Sequence, residues 1–205
     1  MEYVLIIGHD IDFNKFNFKN KYIIGVDEGA YIALKEGIKL DLAIGDFDSV
    51  NEEKFKYICE NTSVIQLPIE KDDTDTLAAV KYCKNAERIT ILGGIQGKRI
   101  EHFVANMILM QSYPNIEILD NNSYMYVTNN SITINKNDYK YISFFAINDC
   151  FITLDGFKYP LRDYYLKSDN PLAISNEIIN DKAIITLRGG KLMIIQTKED
   201  KWKSF

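Results

Sequence analysis

Short aliphatic runs recur at strand length through about the first 120 residues: YVLIIG, YIIGV, DLAIG, SVIQL, RITILGG and IEIL. Between most of them, apolar residues return every three or four positions. Runs of this kind alternating with amphipathic helices predict a mostly parallel sheet flanked by helices. The best-formed helix is expected just after residue 99. There Ile100, Phe103, Val104, Met107 and Ile108 fall at i, i+3, i+4, i+7 and i+8 and predict the face turned to the core. Arg99, His102 and Asn106 form a polar strip beside that face.

Beyond about residue 121 the period changes. SYMYV, SITI, YKYISFFAI, FITLDGFKYPL, KAIITLRGG and KLMIIQT are β-branched and aromatic runs, separated by the turn pairs NN, DG and GG. The expected organisation is an α/β N-terminal domain over residues 1–121 and a smaller all-β domain, a sandwich, over 122–205. The boundary falls in LDNNSY. A β domain of roughly 85 residues is small, and cover from the first domain or a second subunit would help its stability.

Charge narrows the partners. The chain of 205 residues carries a formal net charge of -5 with a pI near 5.1. Nucleic-acid binding needs clustered Lys and Arg, so a broad nucleic-acid surface is excluded and any anion must be held locally. Cys59, Cys83 and Cys150 are widely spaced and contain no CxxC pair, which fits reduced thiols better than a disulfide framework or a zinc site. No apolar run approaches the roughly 18 residues of a membrane span. The expectation is a soluble cytoplasmic protein.

In an open parallel sheet, ligands bind beyond the carboxyl ends of the strands. Four polar segments occupy such positions. In VDEGAYIALKEG, Asp27 and Gly29 read either as a capped strand-to-helix turn or as a close backbone approach to a ligand. In LAIGDFDSV, Asp46 and Asp48 follow the third strand, and two such neighbours repel unless solvent or a cation screens them. In PIEKDDTDT, Asp72 and Asp75 stand three apart at the start of a helix near Thr74 or Asp75, where capping is the simpler explanation. Considered together, two strand ends that each present an aspartate pair predict a shared cation. Oxygen donors without His or Cys favour Mg²⁺ held jointly with substrate phosphates. In RITILGGIQGKRIEHFVAN, Gly93, Gly94 and Gly97 precede a helix start with Lys98 and Arg99, a plausible phosphate cradle. It is not a Walker A loop, because Gly93 and Gly97 enclose three residues rather than four and Arg99 replaces the metal-binding hydroxyl.

Taken in order, GVDEGA, LAIGDFDSV, PIEKDDTDT and GGIQGKRIEHFVAN, followed by GFKYPL and ISNE, resemble bacterial thiamine pyrophosphokinases over nearly the whole chain. The resemblance implies transfer of the pyrophosphoryl group of ATP to the thiamine hydroxyl, with Mg²⁺, in a homodimer whose active sites lie at the subunit interface. It implies that Asp46, Asp48, Asp72 and Asp75 hold the metal and serve catalysis. It further implies that Asp27, Gly29, Lys71, Gly93, Gly97, Lys98, Arg99 and His102 contact ATP, and that Ser175 and Asn176 contact thiamine. Three positions depart from the family pattern: Glu101 replaces Asp before the histidine, Leu77 replaces Glu after TDT, and Glu28 stands where Gly or Arg is usual. Two other readings compete. DFDS has a superficial likeness to the nucleophile loop of haloacid-dehalogenase-like phosphatases, but that loop follows the first strand. A binding module that retained the fold without catalysis is the second.

Overall fold

The computed structural model describes residues 1–8, 11–95 and 99–198. Gly97 and Lys98, both expected at the phosphates, lie outside the described residues. The chain divides into two compact units, Met1–Asn121 and Asn122–Phe205.

In the first unit the aliphatic runs become β1 (Glu2–Ile6), β2 (Tyr22–Val26), β3 (Leu42–Gly45), β4 (Val64–Gln66), β5 (Arg88–Leu92) and β6 (Ile116–Leu119). The strands pair in the order β4-β3-β2-β1-β5-β6, and every pair is parallel. Helices α1 (Glu28–Lys35), α2 (Glu52–Asn61), α3 (Asp75–Tyr82) and α4 (Ile100–Ser112) complete the crossovers. The fold is therefore the expected α/β one. One core layer joins Val4, Ile6, Ile23 and Ala43 to Ala30 and Ala33 of α1 and Ile58 of α2. Alternate strand residues point the other way, and α3 packs over β2 and β3.

The strand order has one functional consequence. From β1 the chain builds outward through β2, β3 and β4, then returns to the other side of β1 for β5 and β6. The reversal lies between β1 and β5, and the crevice above such a switch point is where open α/β sheets bind ligands. Each strand is followed by glycine there, Gly8 two residues after β1 and Gly93 directly after β5. A Cβ on Gly8 would lie 2.9 Å from the Gly94 nitrogen, and one on Gly93 2.7 Å from the Gly8 Cα, so these glycines let the two loops approach.

The expected face of α4 is corrected. Ile100, Val104 and Ile108 are 69%, 44% and 56% exposed, while Asn106, Leu109 and Met110 are buried. The segment is apolar on nearly every side, so periodicity alone does not select its inward face. Orientation follows a polar contact instead: Asn106 Nδ2 donates to the Gly94 carbonyl at 3.4 Å.

The second unit is all-β. A three-stranded antiparallel sheet orders β7 (Ser123–Thr128), β13 (Leu192–Thr197) and β9 (Tyr141–Ala146). A four-stranded antiparallel sheet orders β11 (Leu161–Leu166), β10 (Cys150–Asp155), β12 (Lys182–Arg188) and β8 (Ile132–Asn135). Phe144, Ile152, Leu154, Phe157, Ile185 and Ile194 fill the layer between them, with Phe144 and Phe157 meeting edge to face at 5.4 Å. Strand β11 was not legible from its pattern. It is an edge strand whose Arg162, Asp163 and Tyr165 are exposed, and polar edge strands lack the alternation that marks a buried one.

Candidate active site

A cavity of about 440 Å³ opens at the β1/β5 switch point. Its walls come from Ile7 and Gly8 after β1, Val26 to Glu28 after β2, Gly94 and Ile95 after β5, and Arg99, His102, Phe103 and Asn106 around the start of α4. Ser49 and the first turn of α3, Thr74 to Thr76, close the acidic side. Such a volume lies within the roughly 300–1,000 Å³ of small-molecule sites.

The acidic side is built around a buried aromatic ring. Phe47 adopts φ 57, a left-handed conformation that an aromatic residue rarely takes, and is 5% exposed. Its ring packs on Phe55 of α2 at 5.1 Å, and the Val50 N–H donates to its carbonyl at 3.1 Å. A strand continued regularly past Gly45 would not pin the loop this way. Burial of Phe47 offsets backbone strain of about 1–3 kcal/mol and fixes the two aspartates that flank it.

Those aspartates have different surroundings. Asp46 accepts from the Lys71 ammonium through Oδ2 and from the Asp48 N–H through Oδ1 at 3.2 Å. Burial alone would raise the Asp46 carboxyl; Lys71 and the Asp48 N–H outweigh it and hold the group below its ordinary value. Asp75, in the first turn of α3, accepts the Asp46 N–H at 3.1 Å and lies 3.2 Å from Lys71 Nζ. Lys71 is correspondingly raised, because these carboxylates outweigh its burial. Asp48 and Asp72 are exposed at the rim. Thr74, not either aspartate, caps α3, its Oγ1 accepting from the Leu77 N–H at 3.1 Å. Asp72 precedes the helix, so the expected three-residue helical spacing with Asp75 does not apply. Asp46, Asp48 and Asp75 are joined through these contacts, whereas Asp72 is exposed and no hydrogen bond or ion pair joins it to them; among the described residues no group of three or more His, Cys, Asp or Glu is arranged to hold a metal ion.

Asp27 has no capping bond to α1, although it stands at that helix's N-cap with φ 50 and ψ -129. Its Oδ2 accepts from the Ser49 hydroxyl at 2.8 Å, and its Oδ1 is a buried oxygen without a hydrogen-bond partner among the described residues. Burial pushes this carboxyl upward, opposed by Ser49 and a backbone N–H. The acidic-cap explanation is therefore set aside; the side chain faces the cavity side. Gly29 is buried behind it, where a Cβ would lie 2.2 Å from the Ile6 carbonyl oxygen. Helix-to-strand packing accounts for that glycine.

Across the cavity, Gly93 and Gly94 adopt φ 92 and 76. Arg99 and His102 line the cavity from the start of α4, and Glu101 Oε1 accepts from Arg99 Nε at 2.7 Å. Glu101, the departure from the expected Asp, thus engages the arginine. Ser49, Thr74 and Asn106 complete the site; all three lay within the quoted motifs, but the contacts of Ser49 with Asp27 and of Asn106 with Gly94 depend on partners distant in sequence.

Ser175 and Asn176 lie in the second unit. Ser175 has φ 53, and its N–H donates to Ser143 Oγ at 3.0 Å. Asn176 is 3% exposed. Its Oδ1 accepts from the N–H groups of Tyr159 and Glu177 at 2.9 and 3.0 Å, and its Nδ2 donates to the Tyr159 carbonyl at 2.8 Å. The amide is thus engaged within the chain, holding Tyr159 beside it. Around this loop Tyr159, Leu172, Ile174 and Ile179 are exposed.

Comparison with known proteins agrees with the geometry. The model of the thiamin pyrophosphokinase catalytic domain matches residues 13–119, and that of the thiamin pyrophosphokinase vitamin B1 binding domain matches 129–192. A thiamine pyrophosphokinase from Bacillus subtilis is 32% identical over 187 residues, covering 86% of this chain and 87% of that protein. A crystal structure of thiamine pyrophosphokinase from Bacillus subtilis superposes with a TM-score of 0.88 at 29% identity, over 97% of this chain and 100% of the other. One from Geobacillus thermodenitrificans gives a TM-score of 0.88 at 28% identity, over 98% and 99%. With both of its units matched in order, the chain belongs to the thiamine pyrophosphokinase family.

Proposed function

We propose that the cavity above β1 and β5 binds ATP with Mg²⁺ and that its pyrophosphoryl group passes from there to the hydroxyl of thiamine, giving thiamine diphosphate and AMP. Family membership makes the protein a thiamine diphosphokinase; the assignment of its parts is the proposal. The carrying observation is the cavity itself, with Asp27, Glu28 and Asp75 among its lining carboxylates, Arg99 and His102 from the start of α4, and Gly8 and Gly94; Asp46 and Lys71 join it through Asp75.

The donor set fits magnesium. Mg²⁺ is usually held by one or two carboxylates together with substrate phosphates rather than by an all-protein cage. Asp46 and Asp75, which share contact with Lys71, supply such a pair, with Asp48 bonded to Asp46 through its N–H and Asp72 assigned to the same set by the family resemblance. When bound, the ion would neutralise charge on the transferring phosphates. The chain's own groups act by position. Arg99, His102 and Lys71 offer donors to phosphate oxygens, Gly93 and Gly94 allow the backbone to approach, and the apolar walls of Ile7, Val26 and Ile95 accept the base. Asp27, with an unpartnered oxygen and an elevated pKa, is suited to receive the thiamine hydroxyl proton.

Thiamine is assigned to the loop of Ser175 and Asn176. The exposed Tyr159, Leu172, Ile174 and Ile179 around it support an apolar ligand or subunit contact there. A homodimer is part of the reading, supported by the exposed stripe of Ile100, Val104 and Ile108. Cytoplasmic residence belongs to it as well: Cys83 and Cys150 are buried free thiols, and Cys83 is pushed up to about 12 by burial. No helix among the described residues is long and apolar enough to cross a membrane.

A coupled assay for AMP formed from ATP tests the function. AMP production that requires both thiamine and Mg²⁺ supports it. Phosphate release without thiamine would favour the phosphatase reading, and ligand-induced melting shifts without AMP would favour the binding module.

A further inference from the structure

Lys71 sits between the inner carboxylates of the rim. Its ammonium contacts Asp46 and stands 3.2 Å from Asp75 Oδ1, and its side chain is 15% exposed, that of Asp46 9%. The Asp46 N–H donates to the same Asp75 oxygen at 3.1 Å, and the Asp48 N–H donates to Asp46 Oδ1 at 3.2 Å. The Asp75 side chain is 25% exposed, and a sheltered carboxylate with a partly exposed one so near favours a cation between them. Here the chain supplies one, so the rim holds less free negative charge than its aspartates alone imply.

We propose that Lys71 is a built-in competitor of the divalent cation. It occupies Asp46 and Asp75 in the nucleotide-free protein, suppresses binding of the free metal ion, and transfers its contacts to phosphate oxygens when the metal arrives complexed with nucleotide. The inference rests on the reading of the rim as a metal-nucleotide site.

Electrostatics set the direction. A dication entering alone must displace an ammonium from two carboxylates and leave it without a partner in a sheltered position. A metal-polyphosphate complex brings anionic oxygens that receive the ammonium, so the exchange preserves its ion pairing. Metal and nucleotide consequently bind with positive coupling, and the coupling depends on the lysine. The absence of a preformed group of three or more acidic, His or Cys ligands among the described residues is consistent with a metal that enters with its own phosphate ligands.

The test measures Mn²⁺ binding to wild type, Lys71→Met and Lys71→Arg, first without nucleotide and then with a non-hydrolysable ATP analogue. Lys71→Met is expected to bind free Mn²⁺ at least about tenfold more tightly than wild type. Lys71→Arg should resemble wild type, and the analogue should improve Mn²⁺ affinity more in wild type than in Lys71→Met. Equal affinity of wild type and Lys71→Met for free Mn²⁺, with analogue-dependent binding intact, overturns the competitor role and leaves the site standing. No Mn²⁺ binding to wild type even with the analogue defeats the site and the competitor together. Because Lys71→Met leaves Asp46 and Asp75 without their cation, Lys71→Gln is melted in parallel. Mn²⁺ alone should raise the Tm of Lys71→Gln and leave wild type unchanged; an equal response in both counts against the proposal.

Discussion

The Ser49 hydroxyl donates a 2.8 Å hydrogen bond to Asp27 Oδ2, tying the loop after β3 to the end of β2. The other Asp27 oxygen is buried without a partner among the described residues, and burial raises the carboxyl's pKa. A raised acid pKa means that the folded state favours the protonated form. Its ionised form therefore destabilises the fold above the folded pKa, and that penalty fades as pH falls toward the unfolded value of 3.8. Asp27→Asn is expected to raise the Tm at neutral pH, with the gain shrinking toward about pH 4. Its turnover should fall by about 10²–10⁴-fold. Melting curves across pH and a steady-state assay check both halves.

Asp46 has the opposite sign. Its carboxyl is held below 3.8 despite burial, so its contribution to stability is complete above 3.8 and lost as pH falls through the lower folded value. Asp46→Asn should therefore lower the Tm at neutral pH and flatten the acid limb of the stability profile. An acid limb that matches wild type would remove Asp46 as its source.

Asp48 separates activity from stability. It is exposed, and Asp48→Asn removes a like charge from the rim. Turnover should fall at least about 100-fold, with the Tm unchanged or higher. Retained wild-type turnover would sink its assignment to the metal.

Phe47 tests whether the rim depends on its anchor. Phe47→Ala empties a buried ring site and should cost about 3–5 kcal/mol in urea unfolding. Phe47→Leu should recover much of the stability. If turnover in folded Phe47→Leu is close to wild type, filling the site suffices to position Asp46 and Asp48; a large loss would show that the ring itself is required.

Asn176 engages three backbone groups of Tyr159 and Glu177. Asn176→Ala should lower stability by about 1–3 kcal/mol and raise the thiamine KM while leaving the ATP KM unchanged. An unchanged thiamine KM in the folded variant moves the thiamine pocket elsewhere.

Much of the architecture was legible because its signals are local. Gly37, at φ 77, ends α1 as its position after the apolar pattern implies. The meeting of Asp46 with Asp75 follows from the expectation that parallel strands bring their carboxyl ends to one side; no contact joins Asp72 to them. The face of α4 was not legible, since Ile100, Val104 and Ile108 are as apolar as Leu109 and Met110. Nor was β11, whose exposed edge position removes the hydrophobic alternation.

By itself the sequence determined the succession of strands and helices, the change to all-β structure near Asn121, and the acidic, glycine-rich character of the strand ends, because periodicity and turn chemistry are properties of neighbouring residues. Tertiary structure alone decided that Phe47 turns inward, that Asp27 is held by Ser49 rather than by its own helix, and that Lys71 stands between Asp46 and Asp75. Apart from Lys71 with Asp75, four residues on, those contacts join segments the sequence keeps apart, and burial and charge act across that distance only after the chain has folded.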